Sequence, residues 1–227
     1  DFILYTMANL RVFGAELHDA TKALVASPEG IKGYQYYQDL IHTHKVAPSP
    51  ADLGQGVDQS SLFINGELAM FTSATSQITT FPDQIKTKFE WGVFPMPPGP
   101  AGSRGATVFG NTTSLTQQAK EPAAAFDFLK YITRQEVGVE KLLMGSGSPG
   151  ARPDVFQDKR IIEKYPWYAV GHKVMLEAKA PPLPANAKTS ELQALVPQIE
   201  SEIWLKKVSA EEGARKLAAA IDEVLKQ

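Results

Sequence analysis

Four histidines, a scatter of carboxylates and no cysteine make up the reactive inventory of this 227-residue chain. The absence of Cys removes disulfides, thiolate metal sites and a cysteine nucleophile. His42 and His44 stand two apart. On a helix that spacing splays two side chains by about 200°, so they read as solvated helix-end residues that complement the helix dipole, not as a metal pair. Gly99–Gly105 has no Gly-Lys-Ser/Thr ending and reads as a flexible turn, not a phosphate loop. Gly145–Gly150 lacks the spacing of a nucleophile elbow, and no S-x-x-K occurs. Asn111-Thr112-Thr113 is formally a glycosylation sequon, short enough to arise by chance. Acid–base and nucleophilic catalysis need partnered groups, and no such partnership is visible. We therefore expect no catalytic residues, no metal and no cofactor. Binding chemistry remains: Tyr and Trp near turns offer flat apolar faces with polar edges that stack on sugars or aromatic ligands.

The background is that of an ordinary globular protein: 43% hydrophobic, 21% charged and 9% aromatic. Lys+Arg 23 against Asp+Glu 25 leaves −2, which argues against a nucleic-acid or polybasic membrane binder. No apolar run approaches the roughly 18 residues of a membrane span. The chain opens Asp1-Phe2-Ile3-Leu4-Tyr5, inside an apolar run and without an initiator Met or a leader pattern.

The elements that must position any site are mixed. Ala15–Leu17 and Lys22–Val25 flank a turn at 18–21 and read as a hairpin. Ser27-Pro28-Glu29 starts a helix, with Ser27 as cap and Pro28 at the first position, that ends near His44. Short helices are expected at 58–63 and within 73–81. Strands are expected at 67–71, 90–94, 106–109 and 112–116, with a stiff proline crossover at 95–102. Helices follow at 121–132, 135–144 and 163–178, the last broken at Pro166. Two more close the chain: 189–207, containing Pro197, and one opened by the Ser209–Glu212 capping box. Helices outnumber strands and the order is interleaved, which suggests α/β or α+β.

Three stretches in this order closely resemble one family. They are Phe63-Ile64-Asn65-Gly66-Glu67-Leu68-Ala69-Met70, Trp91-Gly92-Val93-Phe94-Pro95-Met96-Pro97-Pro98-Gly99-Pro100, and Glu121-Pro122-Ala123-Ala124-Ala125-Phe126-Asp127-Phe128-Leu129-Lys130-Tyr131-Ile132. They resemble the carbohydrate-type extracellular solute-binding proteins of ATP-driven (ABC) importers, the maltose-binding-protein-like family, over nearly all of 13–227. The resemblance implies an α/β, periplasmic-binding-protein-like two-lobe fold (type II) whose N-terminal part lies upstream of Asp1. By that pattern 1–95 belongs to the C-terminal lobe, 96–146 returns to the N-terminal lobe, and 147–227 supplies the C-terminal lobe's closing helices.

The implied function is capture of a sugar or related polar molecule in an interlobe cleft by hinge closure, for an importer permease. The protein would be a non-enzymatic, periplasmic or extracellular monomer, lipid-anchored if upstream residues provide it. Carried over residue by residue, the ligand contacts would be Phe2 and Tyr5, Thr72 and Ser76, Phe109 and Asn111, and Ser148 and Arg152. Many members carry a stacking Trp near 71–77. This chain has Thr75, Ser76 and Gln77 instead, which favours hydrogen bonding to a smaller polar ligand. The rival readings are a carbohydrate-acting enzyme domain and a helical interaction module.

Overall fold

The computed structural model describes residues 2–53, 59–107, 112–146, 152–177, 184 and 187–226, with the side chains of 2–4 and 175 excepted. Twelve helices follow one another among them: α1 (Phe2–Val12), α2 (Pro28–His42), α3 (Pro50–Leu53), α4 (Gln59–Ile64), α5 (Gln77–Ile85), α6 (Pro122–Ile132), α7 (Gln135–Leu143), α8 (Pro153–Phe156), α9 (Lys159–Lys164), α10 (Tyr168–Glu177), α11 (Thr189–Trp204) and α12 (Ala210–Leu225). The capping signals act as expected. The Gly30 N–H donates to Ser27 Oγ at 3.1 Å and the Glu212 N–H to Ser209 Oγ at 3.1 Å. Each satisfies a donor that the first helical turn leaves orphaned. α1 is a helix that the sequence reading did not anticipate.

Contacts group the chain into two units: 1–57, 96–108 and 178–227 form one, 58–95 and 109–177 the other. These are groupings by contact; the lobe segments implied by the resemblance divide the chain elsewhere.

In the first unit the apolar stripes of α11 and α12 lock together. Leu192, Val196 and Ile203 face Ala214, Leu217 and Ile221, all fully buried, and Met7, Leu10 and Tyr34 from α1 and α2 complete the cluster. Each buried Leu or Ile contributes roughly 1.5–3 kcal/mol. Gly213 permits the closest approach: a Cβ there would stand 2.3 Å from Ile203 Cγ1. The proline-glycine stretch after residue 95 is seated on α1. A Cβ at Gly99 would meet Val12 Cγ1 at 2.2 Å, and one at Gly105 would meet the Ala8 carbonyl oxygen at 2.2 Å. The expected hairpin at 15–25 reduces to one antiparallel bridge, His18 to Ala23. Asp19 Oδ1 closes its turn by accepting from the backbone N–H groups of Thr21 and Lys22 at 3.0 Å each.

The second unit has its own core, with Val139, Leu142, Val155 and Ile161 fully buried beside Ile78, Phe156, Tyr165 and Tyr168. Five rings, Phe63, Phe71, Phe81, Phe89 and Trp91, form a second apolar group with centroid separations of 5.6–6.2 Å. α6 departs from expectation: Phe126 on its intended inward face is 54% exposed, and none of its residues is fully buried.

The expected strands are the main correction. Among the described residues of 67–71, 90–94, 106–107 and 112–116 no strand forms, and the only β pairing among the described residues of the chain is the His18–Ala23 bridge. A strand exists only against a hydrogen-bonding neighbour, and none of these segments finds one among the described residues. The described part is therefore helical, and the α/β class rests on the resemblance.

Candidate functional site

α1 carries the first candidate. Tyr5 is 41% exposed, while its neighbour Thr6 is buried and points the other way around the helix. Residues one apart on a helix diverge by about 100°, so α1 can bury one side chain and present the next. Phe2 lies in the same helix. Behind Thr6, its hydroxyl donates to both oxygens of Glu200 at 3.0 Å, and the Tyr34 hydroxyl donates to Glu200 Oε1 at 2.7 Å. Burial pushes the Glu200 carboxyl up to about 7, against the smaller downward pull of these two donors. The same burial, reinforced by the Glu200 charge, pushes the Tyr34 phenol far up. Gln38, the polar member of the α2 stripe, donates to the carbonyls of Ile203 and Val208 at 2.8 and 3.1 Å. That satisfies a carbonyl in the last turn of α11 and one in the segment after it.

The second unit holds Thr72, Ser76 and Arg152. Thr72 is exposed and Ser76 half-buried at the start of α5, where its hydroxyl makes no capping bond. Between them, Ser73 Oγ is buried without a hydrogen-bond partner among the described residues. α10 lies against this stretch: a Cβ at Gly171 would touch Thr75 Cγ2 at 3.3 Å and Ile78 Cδ1 at 2.9 Å. One turn earlier, Trp167 covers Gly92, whose absent Cβ leaves 3.3 Å to the indole. Trp167 remains 38% exposed. Trp167 stands just ahead of α10, and its carbonyl accepts from the Gly171 N–H at 3.2 Å. The sequence reading did not single it out, because only the packing of the chain ahead of α10 brings its indole over Gly92.

Arg152 stands ahead of α8 and is engaged: its Nε donates to Asp154 Oδ1 at 2.9 Å. The pair is exposed, and the guanidinium holds the Asp154 carboxyl below its ordinary range. Phe109, Asn111 and Ser148 lie outside the described residues.

The histidines are each accounted for. His18 is buried, its pKa lowered by desolvation, with Nδ1 accepting from the Ala20 N–H at 3.1 Å. His42 Nε2 donates to the Trp204 carbonyl at 2.8 Å, and His172 stacks on Phe156 at 5.0 Å. His44 is exposed. Among the described residues no group of three His, Asp or Glu is placed to hold a metal ion. The chemistry on display is stacking and hydrogen bonding.

Comparison with known proteins places this arrangement in a family. Solved structures share the fold. The maltose-bound MalE3 of T. maritima superposes with a TM-score of 0.78 at 24% identity, over 98% of this chain and 57% of that one. A solute-binding protein of an ABC transporter from Thermotoga lettingae, bound with α-D-tagatose, gives a TM-score of 0.75 at 16% identity, over 98% and 56%. The maltose-maltodextrin binding protein of Alicyclobacillus acidocaldarius gives 0.74 at 21% identity, over 99% and 60%. The chain thus spans little more than half the length of these structures. Residues 2–139 match the family described as bacterial extracellular solute-binding protein, and the chain belongs to that family.

Proposed function

We propose that this chain is part of the sugar-binding receptor of an ABC importer. The family match over 2–139 carries the reading. The fold it shares with proteins bound to maltose and to tagatose supports a sugar or polyol as ligand class. The protein would act outside the cytoplasm, periplasmic or extracellular, lipid-anchored if upstream residues provide the anchor, and deliver its ligand to a permease without chemical change. The lobe division at 95/96 and 146/147, the type II two-lobe architecture and the monomeric state belong to the same proposal. Ligand would bridge the lobes only when they close, so its differential affinity shifts the population to the closed form. Hydroxyls left unpaired by the wrong sugar would supply specificity.

Tyr5, Thr72, Ser76 and Arg152 are the proposed contacts within the described residues, and the resemblance adds Phe2, Phe109, Asn111 and Ser148. Trp167 joins the group as a stacking surface. Calorimetry on the full-length protein tests the reading. Saturable binding of maltose, maltotriose, tagatose or a simple polyol is expected. A panel of sugars and polyols that produces no heat of binding overturns it.

A further inference from the structure

Glu200 occupies a junction of three helices. It is 1% exposed on α11, and its oxygens accept from Thr6 of α1 and Tyr34 of α2. No cation joins it among the described residues. On α1, Arg11 pairs with Glu16 at 2.8 Å. On α2, His42 is turned to the Trp204 carbonyl, Tyr37 donates to Asn9 Oδ1 at 2.9 Å, Asp39 accepts from Gln35 and Thr43, and Glu29 and Lys32 are exposed. On α12, Lys216 pairs with Glu202 of α11, Arg215 with Glu211, and Asp222 accepts the Ala23 N–H, while Glu212, Glu223 and Lys226 are exposed. On α11 itself, Glu191 pairs with Lys188.

We infer that Glu200 is a proton-operated tie: protonated, it closes the α1–α2–α11 junction as a neutral acid among hydroxyls, and ionised, it becomes a buried anion that loosens the seat of α1. A buried carboxylate without a cation is disfavoured in its charged form, and two hydroxyl donors compensate only part of the loss. The upward displacement to about 7 agrees with that geometry. The direction follows from proton linkage. A carboxyl whose folded pKa is raised contributes stability that is present in acid and is lost as pH climbs toward the folded value. Because α1 also carries Tyr5, a loosened α1 would disturb a ligand contact. That consequence rests on the proposed function, whereas the tie itself is read without any ligand.

Trp204 supplies the reporter: its ring lies 5.4 Å from Tyr34, which holds Glu200. With Trp91 and Trp167 both replaced by Phe, Trp204 is the sole indole of these 227 residues, which hold 3 Trp, and any Trp outside them is replaced likewise. Its fluorescence is followed from about pH 5 to about pH 8, a range that brackets the titration. A sigmoid centred near neutrality is expected, retained when His42→Gln is added and abolished when Glu200→Gln is added. Tyr34→Phe, which removes one donor to the anion, should move the midpoint up by about half a unit or more and serves if the Gln variant does not fold. A flat parent profile, a sigmoid that survives Glu200→Gln, one that vanishes with His42→Gln, or a midpoint unmoved by Tyr34→Phe overturns the inference.

Discussion

Tyr34 and Glu200 are 166 residues apart in sequence and 2.7 Å apart between phenol oxygen and carboxylate. This bond, with the Thr6 hydroxyl on the same carboxylate, ties the beginning of the chain to its penultimate helix. It places a titratable group at a point where three apolar surfaces meet.

The first prediction concerns pH and stability. Between about pH 4.5 and about pH 7 the Glu200 contribution should fall by something on the order of 3 kcal/mol, the linkage equivalent of its displacement. His18 has the opposite slope. Its lowered pKa gives stability that is lost as pH falls below about 6.5 through the folded value. Urea unfolding of the parent and of Glu200→Gln at matched pH isolates the carboxyl, since both retain His18. The difference between the two proteins should change across this window and stay constant above it.

Packing makes a second prediction. Gly213→Val places a side chain where Ile203 Cγ1 already stands 2.3 Å from the built Cβ. Overpacking at such a contact costs about 1–3 kcal/mol or more. A thermal melt of this variant should show a clear fall in Tm, whereas Gly102→Ala, with nothing within 4 Å of its Cβ, should lose only what its φ of +72° imposes.

Burial predicts a contrast between two large apolar residues. Leu217 is fully buried between α11 and α12, and Leu217→Ala should cost about 2–5 kcal/mol. Phe126 is half exposed on α6, and Phe126→Ala in this chain should cost about 1 kcal/mol or less. Denaturant midpoints of the two variants measure both.

Ligand contacts separate from structural ones in a fourth prediction. Tyr5→Ala and Trp167→Ala each remove a partly exposed ring and should weaken sugar binding about tenfold, the scale of one stacking contact. Their Tm should stay near that of the parent. Arg152→Ala, which breaks an exposed ion pair with Asp154, should leave Tm unchanged. Isothermal calorimetry then decides whether its guanidinium also holds ligand. Unchanged affinity in all three variants would remove these residues from the site.

Much of the helical order was legible in sequence because caps are local. Ser27-Pro28 and Ser209 act within a turn of their own positions, and the apolar spacing of 192–203 and 214–221 repeats at helical period. The strand reading did not hold for the same kind of reason. The apolar run at 68–71 and the placing of Trp91 and Val93 opposite Phe94 suggest strands, but a strand also needs a neighbour, and pairing is not a local property. At the site, Tyr5 and the 72–76 stretch were visible by type and by resemblance. Trp167 was not, since its place over Gly92 depends on how α10 packs.

By itself the sequence determined that these 227 residues carry no cysteine and neither phosphate-loop nor nucleophile-elbow spacing, where most helices begin, and which family the chain resembles. Those depend on residue type and short spacing. Only the tertiary structure decided that Glu200, unremarkable as one of 25 acidic residues, is sealed among hydroxyls and titrates near neutrality. A carboxyl's proton affinity is set by the water it loses and the partners it meets. For Glu200 those partners, Thr6 and Tyr34, come from the other end of the chain.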